Sequence, residues 1–337
     1  MNNTSETPQR RILVTGATGF LGGALVRKLS RDGVCVVATG RNRQKLDELP
    51  LPGRHRFAAD LNALDPADFP SRLDGVTTII HCAALSSPWG SYADFHAANI
   101  TATERMIALA KGLKVEHFIH VSTPAVYFRF EDQLNVIEDM PLPAPVNAYA
   151  HSKGIAENKV AESGLPYTIV RPRGIYGAGD NALLPRLLRA ARIGPLPRFR
   201  QGRAVTDITH VDDVVDALCA IVKRRDEAAG RVFNISGGEA LSIRTIVERV
   251  GAASSTEIRW RDLPIMPVLA AVRFNEFLAR LHPRRPEPRV TAYGLGIFAF
   301  SQTLDLSNAR RRLAWRPKIN FEEGLERTFR SGSVRAS

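Results

Sequence analysis

Short apolar segments alternate with amphipathic segments along the first half of the chain. The apolar segments lack the polar alternation of half-exposed strands, as is typical of strands buried on both faces of a parallel sheet. The predicted strands span residues 11–15, 34–39, 54–59, 77–84, 117–123 and 167–172. The amphipathic segments predict helices at 20–31, 42–49, 92–111 and 148–163. This alternation predicts successive strand–helix–strand units and a parallel sheet.

The pattern changes after Pro172, where Gly and Pro concentrate in residues 173–180 and 192–202 around a predicted helix at 182–192. A predicted helix at 211–224 and a predicted strand at 231–236 show again the pattern of amphipathic helix and apolar strand seen in the first half of the chain. Further helices are predicted near 243–251, 265–281 and 308–313. We interpret the chain as an α/β protein with a doubly wound parallel sheet and a smaller, mainly α-helical lobe. The sheet domain takes residues 10–172 and 203–236, and the lobe takes 173–202 and 237–330.

Composition narrows the functional classes. The 337 residues are 44% hydrophobic and 24% charged, which is ordinary for a globular protein. The net charge of +12 is spread over scattered arginines without interleaved aromatic residues, which argues against nucleic acid as a partner. Three separated cysteines indicate reduced thiols rather than disulfides. No signal peptide or transmembrane segment is evident, so we expect a cytoplasmic protein.

A glycine-rich turn, GATGFLG at residues 16–22, joins the first predicted strand to the first predicted helix. Glycines in such a turn let the backbone approach a pyrophosphate, whose charge lies at the helix N-terminus. The spacing is G-x-x-G-x-x-G, and with the preceding ILVT it resembles the short-chain dehydrogenase/reductase superfamily.

Further motifs follow in the order expected for the extended branch of that superfamily, the NAD-dependent epimerase/dehydratase family. They are AADL ending at Leu61, HCAA at 81–84, NITAT at 99–103 with Ala102 in place of glycine, VSTPAVY at 121–127, RPRGIYGAGD at 171–180, DITHVDDVVDA at 207–217 and DLSNARRRLAWRP at 305–317. The resemblance implies a Rossmann-like dinucleotide-binding domain. It implies cofactor contacts from Gly16, Thr18, Gly19, Phe20, Leu21, Gly22, Arg41, Asp60, Leu61, Ala83, Ala84, Ser122, Tyr149, Lys153, Pro172 and Ile175.

Tyr149 and Lys153 lie one helical turn apart in NAYAHSK, so they share a helix face. A tyrosine with an ordinary pKa of about 10 is a poor base unless a nearby cation favours the phenolate. We predict that Tyr149 transfers the proton at the substrate oxygen and that Lys153 supplies the charge. By the same resemblance, Thr123 hydrogen-bonds that oxygen, and Asn99 anchors a helix.

The end of the second predicted strand bears on cofactor choice. An acidic residue at this place binds the ribose of NAD, whereas arginine accepts the 2′-phosphate of NADP. Here the sequence is TGRNR, with Arg41 and Arg43 after Gly40. We therefore predict that NADP(H) is preferred, with Arg41 as the main contact and NAD(H) as an alternative.

The substrate class follows from a departure from the family pattern. Nucleotide-sugar members usually carry arginine directly before the aspartate of R-D-[aromatic]-x-[His/Tyr]-V, but this chain has Thr206, with Arg203 three residues earlier. The segment after HCAAL resembles the 3β-hydroxysteroid dehydrogenase-like branch, which includes 2-alkyl-3-oxoalkanoate reductases. The resemblance to this branch implies substrate contacts from Ser86, Trp89, Thr123 and Tyr176.

The leading hypothesis is therefore an oxidoreductase that interconverts a secondary alcohol and a ketone on a hydrophobic substrate. A nucleotide-sugar epimerase or dehydratase and a non-catalytic dinucleotide sensor are the alternatives. The apolar segment 263–281 is expected to roof the pocket, to pack as an ordinary helix or to rest on a membrane surface. Family analogy suggests a homodimer, and the histidine spacing suggests no metal site.

Overall fold

The computed structural model describes residues 10–64, 70–282, 288 and 290–330. Its strands are β1 Arg11–Thr15, β2 Cys35–Gly40, β3 Arg56–Ala58, β4 Val76–His81, β5 His117–Val121, β6 Gln133–Val136, β7 Tyr167–Pro172, β8 Ile175–Tyr176, β9 Leu196–Arg198, β10 Val205–Thr206, β11 Thr209–His210, β12 Arg231–Ile235, β13 Leu241–Ser242, β14 Trp260–Asp262 and β15 Gln302–Leu304. Its α-helices are α1 Phe20–Arg31, α2 Arg43–Asp47, α3 Pro70–Leu73, α4 Tyr92–Phe95, α5 Ala102–Gly112, α6 Ala148–Ala161, α7 Leu183–Ile193, α8 Val211–Lys223, α9 Arg225–Ala228, α10 Ile243–Ala253, α11 Ile265–Leu281, α12 Ala292–Ala299, α13 Ser307–Leu313 and α14 Phe321–Arg330.

The main sheet has seven strands in the order β12-β7-β5-β4-β1-β2-β3, and each neighbouring pair is parallel. Strand order reverses between β1 and β4, which is where ligands bind in open α/β sheets. The predicted fold, a Rossmann-like doubly wound sheet with a helical C-terminal region, is confirmed.

The sheet is buried on both faces, which explains its apolar strands. One face packs against α1 and α8 through Leu25 and Leu218, and the other packs against α5 and α6 through Met106 and Val160. Burial of this kind stabilises by about 25 cal/mol per Å² of apolar surface.

A smaller four-stranded sheet, in the order β13-β10-β15-β6, lies outside the main sheet. Thr206 of β10 pairs with Gln302 of β15, and β15 pairs with β6 through Gln302 and Gln133. The sequence pattern does not predict these strands, nor α12 and α14, because each segment is too short or too weakly periodic to read alone.

The predicted helix 92–111 is interrupted. It consists of α4, a π-helical segment His96–Thr101 and α5. Within this segment the buried Asn99 side chain accepts a hydrogen bond from Leu85 N at 2.7 Å and donates one to Ser152 Oγ at 2.9 Å. Such π-helical turns commonly mark functional sites, and this one holds the loop after β4 against α6.

Candidate active site

The glycine turn lies at the switch point of the sheet. Gly16 has a φ of +66°, and a Cβ there would lie 2.7 Å from Ala83 N. A Cβ on Gly22 would lie 2.3 Å from Gly16 O, so no side chain fits there. α1 begins at Phe20 with Gly19 as its N-cap, and no side chain caps it. The N-terminal amides of α1 are therefore free of a side-chain acceptor among the described residues, as is typical of helix ends that bind a phosphate.

The other predicted cofactor contacts lie around this turn. Arg41 is exposed at the end of β2 and, within the described part of the chain, makes no hydrogen bond or ion pair. Asp60 is exposed and accepts a hydrogen bond from Asn62 N at 3.0 Å, while Leu61 beside it is buried. Ala83 follows β4, where its N–H donates to Thr15 Oγ1 at 3.3 Å.

Further predicted contacts lie where β5 and β7 end at the same edge of the sheet. Ser122 is buried, and its hydroxyl has no hydrogen-bond partner among the described residues. Pro172 ends β7, and Ile175 pairs with Thr209 just beyond it. An unpartnered buried hydroxyl is uncommon in proteins, so Ser122 is suited to bind a ligand.

Three hydroxyl groups converge beside this edge. Burial raises the pKa of Tyr149, and its side-chain hydrogen bonds with Thr123 and Ser86 lower it in part. Thr123 caps the short 3₁₀-helix Pro124–Tyr127 by accepting from Ala125 N at 3.2 Å, which fixes its side chain. Tyr149 also contacts the Phe95 ring, with 6.2 Å between centroids. The structure therefore brings together Ser86, Thr123 and Tyr149, which lie far apart in the sequence.

Lys153 lies on α6 one helical turn after Tyr149 and is only 1% exposed. Its ammonium donates to Val121 O at 2.7 Å and lies 3.0 Å from His120 Nε2. Burial lowers the pKa of Lys153 to about 8, although Glu157 and Cys82 act to raise it. The predicted effect of Lys153 on the pKa of Tyr149 remains a prediction.

Replacing Lys153 by methionine is expected to change how stability depends on pH. The pKa of Lys153 falls from 10.5 to about 8 on folding, so burying its charge costs free energy below pH 8. This cost disappears as pH rises from 8 to 10.5. The free energy of unfolding of the wild type, relative to Lys153→Met, should rise by up to about 3 kcal/mol across that window.

Urea unfolding of both proteins at pH 7.5 and 10 measures this difference. Lys159→Met is the matched control, because Lys159 lies on the exposed face of the same helix and pairs with Glu104 at 2.9 Å. A difference between wild type and Lys153→Met that stays constant over this range contradicts the lowered pKa.

The predicted substrate contacts are not all in one place. Trp89 lies under α11, where the Arg280 guanidinium carbon is 5.6 Å from its ring centroid. Tyr176 is 1% exposed and lies in a hydrophobic cluster with residues of α7, α10 and α14. Its ring packs edge-on against His210 and Phe321. Tyr176 is therefore in the core of the helical lobe, apart from the three hydroxyls.

The structure adds residues that sequence reasoning did not select. His120 contacts Lys153, and burial holds the pKa of His120 well below its ordinary value, so its imidazole is neutral. Tyr293 of α12 packs edge-on against Phe128, with 5.1 Å between centroids. Arg173 is buried directly after β7. His120 directly precedes the VSTPAVY motif, so the sequence could have indicated it. No sequence signal links Tyr293 to a site more than a hundred residues earlier.

The site fits a dinucleotide. The glycine turn leaves room that a Cβ would fill. Among the described residues, no side chain caps α1 and none bonds the Ser122 hydroxyl. Across the described ranges, no three His, Cys, Asp or Glu side chains are grouped so that they could hold a metal ion. In the same part of the chain, no helix is both long and apolar enough to span a bilayer.

Comparisons with known proteins agree with this geometry. Residues 12–236 match the NAD dependent epimerase/dehydratase family. The chain is 32% identical to the 2-alkyl-3-oxoalkanoate reductase of Stenotrophomonas maltophilia, over 96% of this chain and 100% of that protein. It is 26% identical to the human sterol-4-alpha-carboxylate 3-dehydrogenase, decarboxylating, over 98% of this chain and 90% of that protein.

A solved structure of MoeE5 in complex with UDP-glucose and NAD superposes with a TM-score of 0.72 at 27% identity, covering 95% of this chain and 97% of that one. The family match spans more than half of the chain, and the relatives compared over nearly their full length include a reductase and a dehydrogenase. The chain thus belongs to the NAD dependent epimerase/dehydratase family and is an NAD-dependent oxidoreductase.

Proposed function

We propose that this enzyme interconverts a secondary alcohol and a ketone on a hydrophobic substrate, either sterol-like or a long-chain β-keto or β-hydroxy acid. The convergence of the Ser86, Thr123 and Tyr149 hydroxyls at the switch-point edge of the sheet carries this proposal. Two hydroxyls can hold a substrate oxygen while the third exchanges its proton. The names of the two relatives compared above supply the substrate classes.

The chain's own residues divide this chemistry among them. Tyr149 donates a proton to the ketone oxygen in reduction and accepts it back in oxidation, while Thr123 and Ser86 fix that oxygen. When bound, the nicotinamide cofactor supplies or accepts the hydride. Lys153 would hold the cofactor ribose. Its ammonium is held in place by the hydrogen bond to Val121 O and by the contact with the neutral His120.

Apolar side chains near the site support a hydrophobic substrate. α11 packs on α12, and their shared cluster contains Phe199, Leu269 and Leu295. α12 in turn lies against Phe128, next to the 3₁₀-helix that Thr123 caps. Pockets for small ligands are mostly apolar with few polar groups, and this layer provides such walls.

The proposal is tested by a side-by-side assay with NADPH and NADH. The substrates are a long-chain 3-oxo acid, a 3-ketosteroid, UDP-glucose and dTDP-glucose. We expect reduction of at least one apolar ketone and no turnover of the nucleotide sugars. The reverse result would replace the proposed function by a nucleotide-sugar reaction, which the bound UDP-glucose in the MoeE5 structure makes the second candidate.

The position of Thr206 favours the first candidate. Thr206 is buried at the place where nucleotide-sugar enzymes usually carry a diphosphate-binding arginine. Arg203, three residues earlier, is exposed, and its backbone N–H donates to Arg200 O at 3.2 Å. A bidentate clamp on a diphosphate therefore lacks its usual residue on this strand.

Within the NAD-dependent class we propose a preference for NADP(H). Arg41 supports it, because this residue directly after β2 is exposed and has no hydrogen bond or ion pair with any described residue. Arg41→Ala is expected to weaken NADPH binding about tenfold or more, because one charged hydrogen bond to the 2′-phosphate is lost. NADH binding should change little. Titration calorimetry with both nucleotides measures this.

Arg43→Ala is the matched control, because Arg43 already pairs with Asp47 at 3.8 Å on the same exposed turn. If NADH binds the wild type as tightly as NADPH and Arg41→Ala alters neither, the preference is wrong.

A homodimer, a cytoplasmic location and the division into a sheet domain and a lobe stay predictions. Membrane contact of α11 also stays one, supported by its exposed Met266, Phe274 and Leu281.

A further inference from the structure

Arg173 is a buried cation without an anionic partner among the described residues. It is 6% exposed, and its Nε and Nη2 donate to Thr206 Oγ1 at 3.1 and 2.9 Å. Its Nη1 donates to Gln302 Oε1. No carboxylate of the described chain lies within 4.0 Å of its guanidinium nitrogens. Arg171, two residues earlier and equally buried, pairs with Glu157.

Buried charges in proteins are normally paired, because an unpaired charge in the interior is costly. Burial lowers the pKa of Arg173, and Tyr293 and Asp207 act to raise it. Asp207 Oδ2 accepts from Ser236 Oγ at 2.6 Å and from Leu304 N at 3.3 Å. Asp207 Oδ1 is buried without a hydrogen-bond partner among the described residues, but no Asp207 oxygen lies within 4.0 Å of the Arg173 guanidinium nitrogens. Asp207 therefore compensates the charge of Arg173 only from a distance. Thr206 and Gln302 are neutral acceptors, so neither of them neutralises the guanidinium.

Two of the five guanidinium N–H groups have no hydrogen-bond acceptor among the described residues. Nε uses its single N–H on Thr206, and Nη1 and Nη2 each use one of two. One N–H therefore remains on each terminal nitrogen. A planar carboxylate accepts two parallel hydrogen bonds from such a pair.

The chain leaves the main sheet at the same edge before Arg173 and before Thr123. Val121 of β5 pairs with Val170 of β7, so Thr123 and Arg173 leave neighbouring strands two and three residues beyond that pair. Tyr293 packs on Phe128. Burial raises the pKa of Tyr293 to about 12, the charge of Arg173 acts to lower this pKa, and the charge of Tyr149 acts to raise it. Tyr293 is therefore close enough to respond to both groups.

We propose that Arg173 is an anion-binding residue of the substrate site, and that it binds the carboxylate of a β-keto or β-hydroxy acid. Arg173, directly after β7, donates hydrogen bonds to Thr206. Thr206 occupies the position at which nucleotide-sugar enzymes usually carry arginine. The carboxylate lies two carbons from the reacting oxygen-bearing carbon, so its binding to Arg173 also aligns the ketone with Tyr149. This inference rests on the proposed function and names its substrate class.

The experiment compares a long-chain 3-oxo acid with a neutral ketone of the same chain length, using wild type, Arg173→Met and Arg173→Lys. Arg173→Met should lower kcat/KM for the acid at least a hundredfold and for the neutral ketone less than threefold. Arg173→Lys should recover part of the activity on the acid, because it keeps the charge but loses the fork. Nucleotide affinity and Tm show that the variants are folded.

A second measurement uses the wild type alone and covers the case in which Arg173→Met does not fold. A non-reducible carboxylic acid inhibitor and its primary amide are compared as competitors of the ketone, and the acid should bind at least ten times more tightly. Equal inhibition by the two overturns the inference. Equal losses on acid and neutral ketone in Arg173→Met also overturn it and make Arg173 a purely structural residue, while leaving the proposed function standing. A wild type that reduces neither ketone removes the proposed function and this inference together.

Discussion

Replacing Tyr149 by phenylalanine is expected to leave the fold and nucleotide binding intact while lowering kcat by about 10²- to 10⁴-fold, the usual contribution of a positioned acid or base. The aromatic ring keeps its contact with Phe95 at 6.2 Å. What disappears is the hydroxyl that bonds Thr123 and Ser86 and that exchanges the proton. Because this interaction matters in the transition state, kcat and kcat/KM should fall together.

The control is Tyr92→Phe, the same chemical change on a tyrosine that stacks on His151 at 5.4 Å and is 44% exposed. It should retain activity within about twofold, since surface changes away from a site are usually small. Steady-state kinetics with an accepted ketone and nucleotide titrations of both variants give the comparison. Parent-level turnover by Tyr149→Phe would remove the tyrosine from the chemistry.

The parts of this site that could be predicted from the sequence are those in which local chain geometry decides the structure. The Gly16 position requires a positive φ and a backbone approach to Ala83 that no side chain permits. Tyr149 and Lys153 share a helix face because they are four residues apart. The strands of the main sheet were visible because both of their faces are buried.

The parts that could not be predicted depend on contacts between distant segments. Arg173 meets Thr206 and Gln302 only because β10 and β15 pair in a second sheet, across 129 residues of sequence for Gln302. Tyr293 reaches the site through α12, an element that the hydrophobic pattern did not reveal. Tyr176 belongs to a family motif, yet the strand β8 turns its ring into the lobe core against Phe321. A sequence motif does not determine the direction in which a side chain points, because that direction depends on the residues it packs against.

Glu157→Gln is expected to lower the free energy of unfolding by about 3 kcal/mol or more, the usual cost of breaking a buried ion pair. Glu157 on α6 and Arg171 on β7 are 4% and 5% exposed, and Arg171 Nε donates to Glu157 Oε1 at 2.9 Å. Glutamine keeps the shape of glutamate but turns an N–H₂ group toward Arg171 Nη2 and leaves the guanidinium unneutralised. Glu326→Gln is the matched control, because Glu326 pairs with Arg330 on the surface, where such pairs contribute less than about 1 kcal/mol.

The double variant Arg171→Met/Glu157→Leu separates loss of the pair from exposure of one buried charge. Two apolar side chains of similar volume remove both charges, so the double variant should be more stable than Glu157→Gln. It should not fully recover wild-type stability, since Tyr127 loses the hydrogen bond that Arg171 Nη1 donates to its hydroxyl. Urea unfolding of the four proteins at pH 7 gives the comparison. A double variant no more stable than Glu157→Gln would mean that the cost arises from packing between α6 and β7 rather than from the unpaired guanidinium.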